Sequence, residues 1–275
     1  MPLERIDSVR RRCRAEALAR GANPRDVDVL MADLAGKSVA YVVAHGELEI
    51  DPAPLQALLE RRHAGEPLQY IRRRADFYGR EFYVDDRVLI PRPETELLVE
   101  TAVKLAPDRA QVIDIGSGSG AIAVSVKLER PDLDVTAADA SMAALAVTAL
   151  NCRRLGAAIG LAASDLLSAI DGRFDLILSN PPYIPAREVQ VLQVEVREHE
   201  PRMALTPGEQ GTEILERILL QAPARLSPGG RVILEIGFGQ EERVRAIAAS
   251  HVFTVDDIIA DLAGIPRTVV LSKHG

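Results

Sequence analysis

Segments typical of β-strands alternate with segments typical of helices from Gln111 onward. The strand candidates are Val112–Ile115, Leu133–Ala138, Phe174–Leu178, Val232–Ile236, Phe253–Ile258 and Thr268–Ser272, with a possible short strand near Ile159–Ala162. Helical stretches lie between most of them. This alternation predicts a parallel, doubly wound α/β sheet.

The last two strand candidates break the pattern, because the connection around Ala263–Arg267 is short. A parallel crossover needs a dozen or more residues, so these two strands are expected to pair antiparallel. A mostly parallel sheet with a final antiparallel strand is typical of class I S-adenosylmethionine-dependent methyltransferases, which are Rossmann-like, rather than of dehydrogenases.

The N-terminal part of the chain has a different character. Apolar residues such as Val27, Leu30, Met31 and Leu34 fall at helical spacing, and an aromatic, alternating stretch around Gly79 predicts a β-hairpin. We therefore predict three regions: a small helical domain over residues 1-74, a β-hairpin linker over residues 75-90 and a catalytic α/β domain over residues 91-275.

Composition narrows the class of protein. A net charge of -7 argues against a general nucleic-acid binder, and no apolar run approaches the length of a membrane span. Cys13 and Cys152 have no neighbouring Cys or His at metal-ligand spacing, so no metal is expected. The first residues form no apolar signal core, and we expect a cytoplasmic protein without a membrane partner.

A glycine-rich loop joins the first strand of the sheet to a helix that starts near Ala121. Its candidate cofactor residues are Asp114, Gly116, Ser117, Gly118, Ser119 and Gly120. With Ala121 the loop also satisfies the dinucleotide pattern, so nicotinamide or flavin binding is a fair alternative. The even glycine spacing, and a carboxylate placed to face an ammonium group, favour S-adenosylmethionine.

Two further strand ends carry candidate cofactor residues. Asp139 follows the second strand, where a carboxylate can accept both ribose hydroxyls, although it can equally cap the next helix. Asp165 and Leu166 follow the next strand segment, where the carboxylate suits an adenine amine and the leucine suits the ring. A plain loop is the alternative for this pair.

Asn180-Pro181-Pro182-Tyr183 forms a stiff corner after a predicted strand. Consecutive prolines have a fixed φ and donate no backbone hydrogen bond. The Asn180 side chain and the Asn180 and Pro181 carbonyls are left as acceptors for an NH2 group, and Tyr183 offers a flat face. The corner predicts a site for a planar amide or amine, although alone it also fits an ordinary turn.

Taken together, nearly the whole chain resembles the release-factor glutamine methyltransferases, the PrmC/HemK family. The segments that carry the resemblance are Glu66–Ile71, Val88–Glu96, Asp114–Ala123, Asn180–Pro185, Glu200–Leu205 and Glu235–Gly237. The Pro91–Glu96 run is the better discriminator, because the Asn-Pro-Pro-Tyr box also occurs in methyltransferases that act on adenine, guanine or a ribosomal protein.

The resemblance implies methyl transfer from S-adenosylmethionine to the side-chain amide nitrogen (N5) of a glutamine in the Gly-Gly-Gln loop of class 1 peptide chain release factors, with S-adenosylhomocysteine as product. Asn180, Pro181 and Tyr183 are then expected to be catalytic, and Asn180 to contact the cofactor as well. The expected substrate-binding residues are Asn180, Pro181, Pro182, Tyr183, Pro91, Arg92 and Glu94. Arg92 and Glu94 fit a structural ion pair equally well.

The helical domain is expected to dock the protein substrate, with the enzyme acting as a monomer that contacts no nucleic acid directly. The chain departs from the family at Arg72-Arg73-Arg74, where a Gly-Arg pair is usual, and at Leu166, where an aromatic is frequent. The basic run suits partner docking or a solvated face. The alternatives are methylation of a nucleic-acid exocyclic amine or a ribosomal-protein glutamine, a dinucleotide oxidoreductase, and a non-catalytic binding protein.

Overall fold

A computed structural model describes residues 3–274. The helices are α1 (Ile6–Ala19), α2 (Arg25–Ala35), α3 (Val39–Ala44), α4 (Ala53–His63), α5 (Leu68–Arg72), α6 (Glu96–Leu105), α7 (Ala121–Glu129), α8 (Met142–Leu155), α9 (Val194–His199), α10 (Arg202–Leu205), α11 (Glu213–Gln221) and α12 (Glu241–Ser250). The strands are β1 (Glu4–Arg5), β2 (Glu49–Ile50), β3 (Ala75–Phe77), β4 (Arg80–Phe82), β5 (Gln111–Ile115), β6 (Asp134–Asp139), β7 (Gly160–Ala163), β8 (Phe174–Ser179), β9 (Leu226–Glu235), β10 (Phe253–Ala260) and β11 (Pro266–Lys273).

These elements form two compact units. The first contains the residues up to Arg73 together with Gln193–His199, and the second contains Arg74–Leu192 and the residues from Glu200 onward. The sequence-based division assigns all of residues 91-275 to one domain. In the structure, α9 groups instead with the N-terminal unit, although it comes much later in the chain.

The first unit is helical, as predicted. Its core is apolar and includes Val9, Leu30, Met31 and Leu55, all at most 1% exposed. Leu34 has the same helical spacing but is 48% exposed. The short antiparallel pair of β1 with β2 was not expected from the sequence.

The second unit is built on a seven-stranded sheet in the order β10-β11-β9-β8-β5-β6-β7. Strand β11 is antiparallel to both β9 and β10, whereas the pairs among β5, β6, β7, β8 and β9 are parallel. Apolar clusters cover both faces of the sheet. The predicted class I fold and the antiparallel final pair are confirmed.

The predicted hairpin is the β3–β4 pair, whose two-residue turn is Tyr78-Gly79. Both residues have positive φ, at 49° and 69°, as the type I′ turn of a tight hairpin requires. Among residues 3–274, none of the helices is both long and apolar enough to span a bilayer.

Strand order reverses at β5, which pairs with β6 on one side and β8 on the other. Open α/β sheets bind ligands beyond the carboxyl ends of the strands at this point. Here those ends bring Gly116, Asp139 and Asn180 to one edge of the sheet, which positions the candidate site.

Candidate active site

A cavity of about 340 Å³ lies in the second unit at the carboxyl ends of its parallel strands. Several predicted site residues line it: Gly116, Gly118, Asp139, Asp165, Leu166, Asn180, Pro181 and Pro182. The candidate cofactor residues and the candidate acceptor corner therefore share one cavity. This arrangement suits a reaction between two ligands that meet there.

The other predicted residues lie outside the lining of this cavity. They are Asp114, Ser117, Ser119, Gly120, Tyr183, Pro91, Arg92 and Glu94. Among them, Asp114, Tyr183 and Arg92 are hydrogen bonded to neighbouring groups.

The glycine loop is fixed from beneath by helix α8. The Thr148 hydroxyl donates to the Gly118 carbonyl at 2.9 Å, and Asn151 Nδ2 donates to the Ser119 carbonyl at 2.8 Å. Gly120 has φ of 82°, and a Cβ there would come 2.8 Å from Thr148 Cγ2. A side chain here would strain the backbone and displace the Thr148 side chain that binds Gly118, so glycine keeps the loop preorganised for a ligand.

Both carboxylate oxygens of Asp139 are already hydrogen bonded. Oδ2 accepts from the Gly118 amide at 2.9 Å, and Oδ1 accepts from the Ser141 amide at 2.8 Å. Ser141 itself caps α8 through its hydroxyl. Asp139 thus organises the helix start and also lines the cavity, so the two interpretations of this residue are compatible.

Asp114 is fully buried at the end of β5. Its Oδ2 accepts from the Ala123 amide at 3.2 Å, while Oδ1 is buried without a hydrogen-bond partner in the described chain. Burial raises the pKa of Asp114 to about 7, and the charge of Asp139 adds to this effect. An orphaned carboxylate oxygen beside a glycine loop suits a cationic ligand group.

Asp165 and Leu166 both contribute to the cavity wall, but the carboxylate has a partner. Asp165 Oδ2 accepts from the Arg217 guanidinium at 2.6 Å, in an exposed ion pair. Leu166 has φ of 54°, which is uncommon for a residue other than glycine. Its backbone turns sharply at the place where the sequence predicts an adenine contact.

The orientation of Asn180 is set by Thr95. Asn180 Nδ2 donates to the Thr95 hydroxyl at 3.0 Å, which leaves Oδ1 as the acceptor of the amide. Thr95 is buried at the start of α6. Sequence reasoning missed this residue, although it lies within the Val88–Glu96 segment of the resemblance.

Tyr183 is largely buried behind the corner. Its hydroxyl donates to Glu235 Oε1 at 3.3 Å, and its pKa is raised by burial and by the nearby Glu235 charge. Burial also raises the pKa of Glu235 to about 7, against the effects of the Thr95 and Tyr183 hydroxyls. The structure does not bring the Tyr183 ring to the cavity lining, where the sequence predicts a stacking face.

Arg92 donates to both carboxylate oxygens of Glu200, at 2.6 and 2.7 Å. The Glu200 side chain is 1% exposed, and the next residue, Pro201, lines the cavity. Arg92 therefore does form a structural ion pair, the alternative from the sequence, but its partner is Glu200 and not Glu94. Arg92 fixes the Glu200–Pro201 part of the wall instead.

Family models match two parts of the chain: the methyltransferase small domain over residues 93–208 and the PrmC N-terminal domain over residues 9–72. Release factor glutamine methyltransferases of Koribacter versatilis and Bordetella pertussis are each 43% identical to this chain. The first alignment covers 85% of both chains, and the second covers 92% of this chain and 96% of the relative.

The chain belongs to the release factor glutamine methyltransferases. Its fold is also similar to the structure of a 16S rRNA methyltransferase of T. thermophilus in complex with AdoMet and guanosine. That likeness has a TM-score of 0.51 at 18% identity and covers 74% of this chain and 50% of the other. It supports the class I fold.

One departure from the family pattern has a clear structural position. Arg73 ends α5 in the left-handed conformation, with φ of 57° and ψ of 32°, where glycine carries no steric cost. Arg72 pairs with Asp33 and Arg74 with Glu81, at 2.7 and 3.0 Å. Within this Arg72-Arg73-Arg74 departure, Arg73 therefore has a backbone conformation that favours glycine.

Several wall residues of this methyltransferase were not predicted from the sequence. They include Arg87, Val88, Leu89, Ser141, Ser164, Met203, Thr206, Ile214 and Arg217. Some lie in segments that resemble the family, but the resemblance assigns them no role. Within residues 3–274, no group of three or more His, Cys, Asp or Glu is placed to hold a metal ion.

Proposed function

We propose that this chain transfers a methyl group from S-adenosylmethionine to the N5 side-chain amide nitrogen of the glutamine in the Gly-Gly-Gln loop of class 1 peptide chain release factors. The main support is that the glycine loop and the Asn180–Pro182 corner line the same cavity. Membership of a family whose relatives bear the name release factor glutamine methyltransferase supports the choice of acceptor.

The chemistry of the described residues fits S-adenosylmethionine. Asp139 is the proposed ribose acceptor, and the orphaned Oδ1 of Asp114 suits the cofactor's ammonium group. Gly116 and Gly118 allow close approach of the backbone, with Ser117, Ser119 and Gly120 supporting the loop. Asp165 and Leu166 are the proposed adenine contacts, and Asn180 completes the cofactor set. When bound, S-adenosylmethionine supplies an electrophilic methyl group.

Asn180 orients the acceptor amide in this proposal. Because Thr95 holds Nδ2, the Asn180 Oδ1 accepts one amide hydrogen, and the Pro181 carbonyl accepts the other. These two acceptors favour the positive charge that develops on the nitrogen and aim its lone pair. Tyr183 supports the corner, and Pro182 lines the cavity beside it. Pro91, Arg92 and Glu94 lie outside the lining, where Arg92 holds Glu200 next to the wall residue Pro201.

The first unit is the proposed docking domain for the release factor. The family model for the PrmC N-terminal domain matches residues 9–72 within it. Since the proposed acceptor is a translation factor, the proposed compartment is the cytoplasm. We propose that the enzyme acts as a monomer with no direct nucleic-acid contact.

The test is transfer of a labelled methyl group from S-adenosylmethionine to a purified release factor. Label is expected on the intact factor and not on a matched factor whose Gly-Gly-Gln glutamine is replaced by alanine. Ribosomal RNA, DNA and ribosomal proteins form the other arms. Label that appears on one of those arms, and not on the release factor, would contradict the proposed acceptor.

A further inference from the structure

Tyr183 is held at three separate points by one segment of the chain, Glu235–Gln240. Its hydroxyl donates to Glu235 Oε1 at 3.3 Å, and its carbonyl accepts from Gln240 Nε2 at 3.0 Å. A Cβ on Gly237 would lie 3.0 Å from Tyr183 Cδ2, so the Gly237 backbone lies against the ring. The residue that ends the Asn180–Tyr183 corner therefore has little freedom to move.

Gln240 joins three parts of the chain through one side chain. Its Oε1 accepts from the Gly237 amide at 2.8 Å, and its Nε2 donates to the carbonyls of Tyr183 and Gly211, at 3.0 and 3.1 Å. Both hydrogens of the Gln240 amide nitrogen are thus used. A side chain bonded in this way has one preferred rotamer and fixes the backbone segments it touches.

Glu235 is 1% exposed, and its Oε2 has no hydrogen-bond partner among residues 3–274. The groups around its carboxyl are the Thr95 and Tyr183 hydroxyls, Arg267 and Glu94. Burying a carboxyl group that is only partly bonded is costly compared with an apolar side chain. The hydrogen bond from the Tyr183 hydroxyl is a structural role for this buried carboxyl group.

We propose that Glu235 and Gln240 are positioning residues that hold Tyr183 and, through the adjoining backbone, the Asn180–Pro182 acceptors of the site. Glu235 holds the side-chain end of Tyr183, and Gln240 holds its backbone end. This inference rests on the proposed function for its catalytic consequence. Its structural content, the fixed position of Tyr183, is measured without any acceptor.

Fluorine NMR can report the environment of the Tyr183 ring, because the chain has five tyrosines and their signals can be resolved. In protein labelled with 3-fluorotyrosine, Tyr183→Phe assigns the Tyr183 signal. Gln240→Met has similar length and removes all three hydrogen bonds, so the Tyr183 signal should shift or broaden while the other four signals stay. Glu242→Met, an exposed change in the first turn of α12, is the matched control and should leave all five unchanged.

Turnover provides the second measurement. A displacement of about 1 Å from a remote change can cost about 10²-fold in rate, so Gln240→Met should lower kcat by about that factor. Affinity for S-adenosylmethionine, measured by calorimetry, should stay at the wild-type value. Gln240→Glu keeps the oxygen that accepts from Gly237 but places an acceptor-only carboxylate oxygen against the Tyr183 and Gly211 carbonyls, so both effects should be at least as large as in Gln240→Met.

Glu235 is tested by a conservative pair. Glu235→Gln keeps an acceptor for the Tyr183 hydroxyl and should preserve the Tyr183 signal and most of kcat. Glu235→Leu removes the acceptor, so the Tyr183 signal should shift or broaden and kcat should fall. Unchanged Tyr183 signals and kcat in Gln240→Met and Glu235→Leu would overturn the inference. If Gln240→Met does not fold, Gln240→Glu decides. If wild-type protein does not methylate a release factor, the proposed function fails, but the Tyr183 signals still test whether Glu235 and Gln240 fix the position of Tyr183.

Discussion

The two ends of the Asn180 side-chain amide have different roles. Its Nδ2 is bound to Thr95, a residue 85 positions earlier in the chain, and its Oδ1 is the half that the proposed mechanism uses. Because the amide is already held, its side chain loses little conformational entropy when the methyl acceptor binds. The proposed chemistry depends on this orientation.

Replacing Asn180 with alanine removes an acceptor that stabilises developing charge. Loss of one such preorganised contact typically lowers kcat by about 10²–10³-fold. We expect Asn180→Ala to lose methyl transfer to that extent, in a labelled-methyl assay, while calorimetry shows that S-adenosylmethionine still binds. Near wild-type turnover in this variant would contradict the proposed role.

Asp114 makes stability depend on pH. Its pKa is about 7 when folded and near 3.8 in an exposed reference, so the folded state holds the proton more tightly. The stabilisation is fully present below about pH 3.8 and is lost as pH rises through about 7, for a total of about 4 kcal/mol.

The measurement is urea denaturation of wild type and Asp114→Asn between about pH 4 and pH 8, which covers the window from about 3.8 to about 7 set by the two pKa values. The variant cannot ionise at this position, so its stability relative to wild type should rise across that window and level off above it. Glu235, whose pKa is also about 7, is not among the groups that shift Asp114, so its contribution is the same in both proteins and cancels in the comparison. A difference that stays constant with pH would show that Asp114 keeps an ordinary pKa.

The sequence was sufficient to locate the candidate site residues that lie in a recognisable local pattern. Asp139, Gly116, Gly118 and Asn180 lie at strand ends with recognisable neighbours, and the cavity brings them together. Gln240 could not be predicted in this way, because its partners lie 57 and 29 positions away. The burial of Tyr183 depends on the same long-range contacts, so the expected stacking face could not be checked against the pattern alone.

At the scale of elements, two helices end alike but with different residues. Helix α2 is followed by Gly36 with φ of 61° and ψ of 33°, and α5 by Arg73 with φ of 57° and ψ of 32°. The left-handed conformation costs a residue with a Cβ about 1–2 kcal/mol, and costs glycine almost nothing. Helix α5 thus ends with strain that α2 avoids.

Arg73→Gly should therefore raise the free energy of unfolding by about 1 kcal/mol, since relief of strain is partly offset by the freedom of glycine in the unfolded chain. Gly36→Ala is the reverse change at the matched position and should lower it by about the same amount. Both are read from denaturation midpoints at constant slope. Destabilisation by Arg73→Gly would mean that contacts of the Arg73 side chain outweigh its backbone strain.

Element boundaries were predicted well where hydrophobic periodicity is strong, as in the sheet strands. Strand β9 is longer than expected, because it starts at Leu226 and passes through Gly229 and Gly230 before the apolar run begins. Glycine and proline usually mark loops, so the pattern hides this extension. The register shift between β8 and β9 accommodates it.

At the scale of the whole molecule, the chain returns to its first unit at Gln193–His199. Arg62 in α4 links this segment to α2, since it pairs with Asp26 of α2 at 2.7 Å and with Glu195 of the segment at 2.6 Å. The Arg62 side chain is 14% exposed, whereas its neighbour Arg61 is 40% exposed and pairs with Glu66. The sequence shows two adjacent arginines, but their burial differs.

Arg62→Met leaves the buried Asp26 carboxylate without its cation, which typically costs about 3–5 kcal/mol. Arg61→Met removes a half-exposed pair and should cost about 1 kcal/mol. Denaturation gives the two losses, and hydrogen exchange should show faster exchange of the 193–199 amides in Arg62→Met alone. Equal losses in the two variants would contradict the assigned role of Arg62.

The position of β11 has a consequence for biosynthesis. This strand is the last of the sheet to be made, yet it lies between β9 and β10, and Val269 and Leu271 within it are fully buried. Until β11 emerges, a growing chain exposes an unpaired hydrophobic edge on β9 and leaves β10 without a neighbour. The nascent protein must therefore complete its sheet late, and chaperones that shield strand edges should matter more to its yield than to its finished stability.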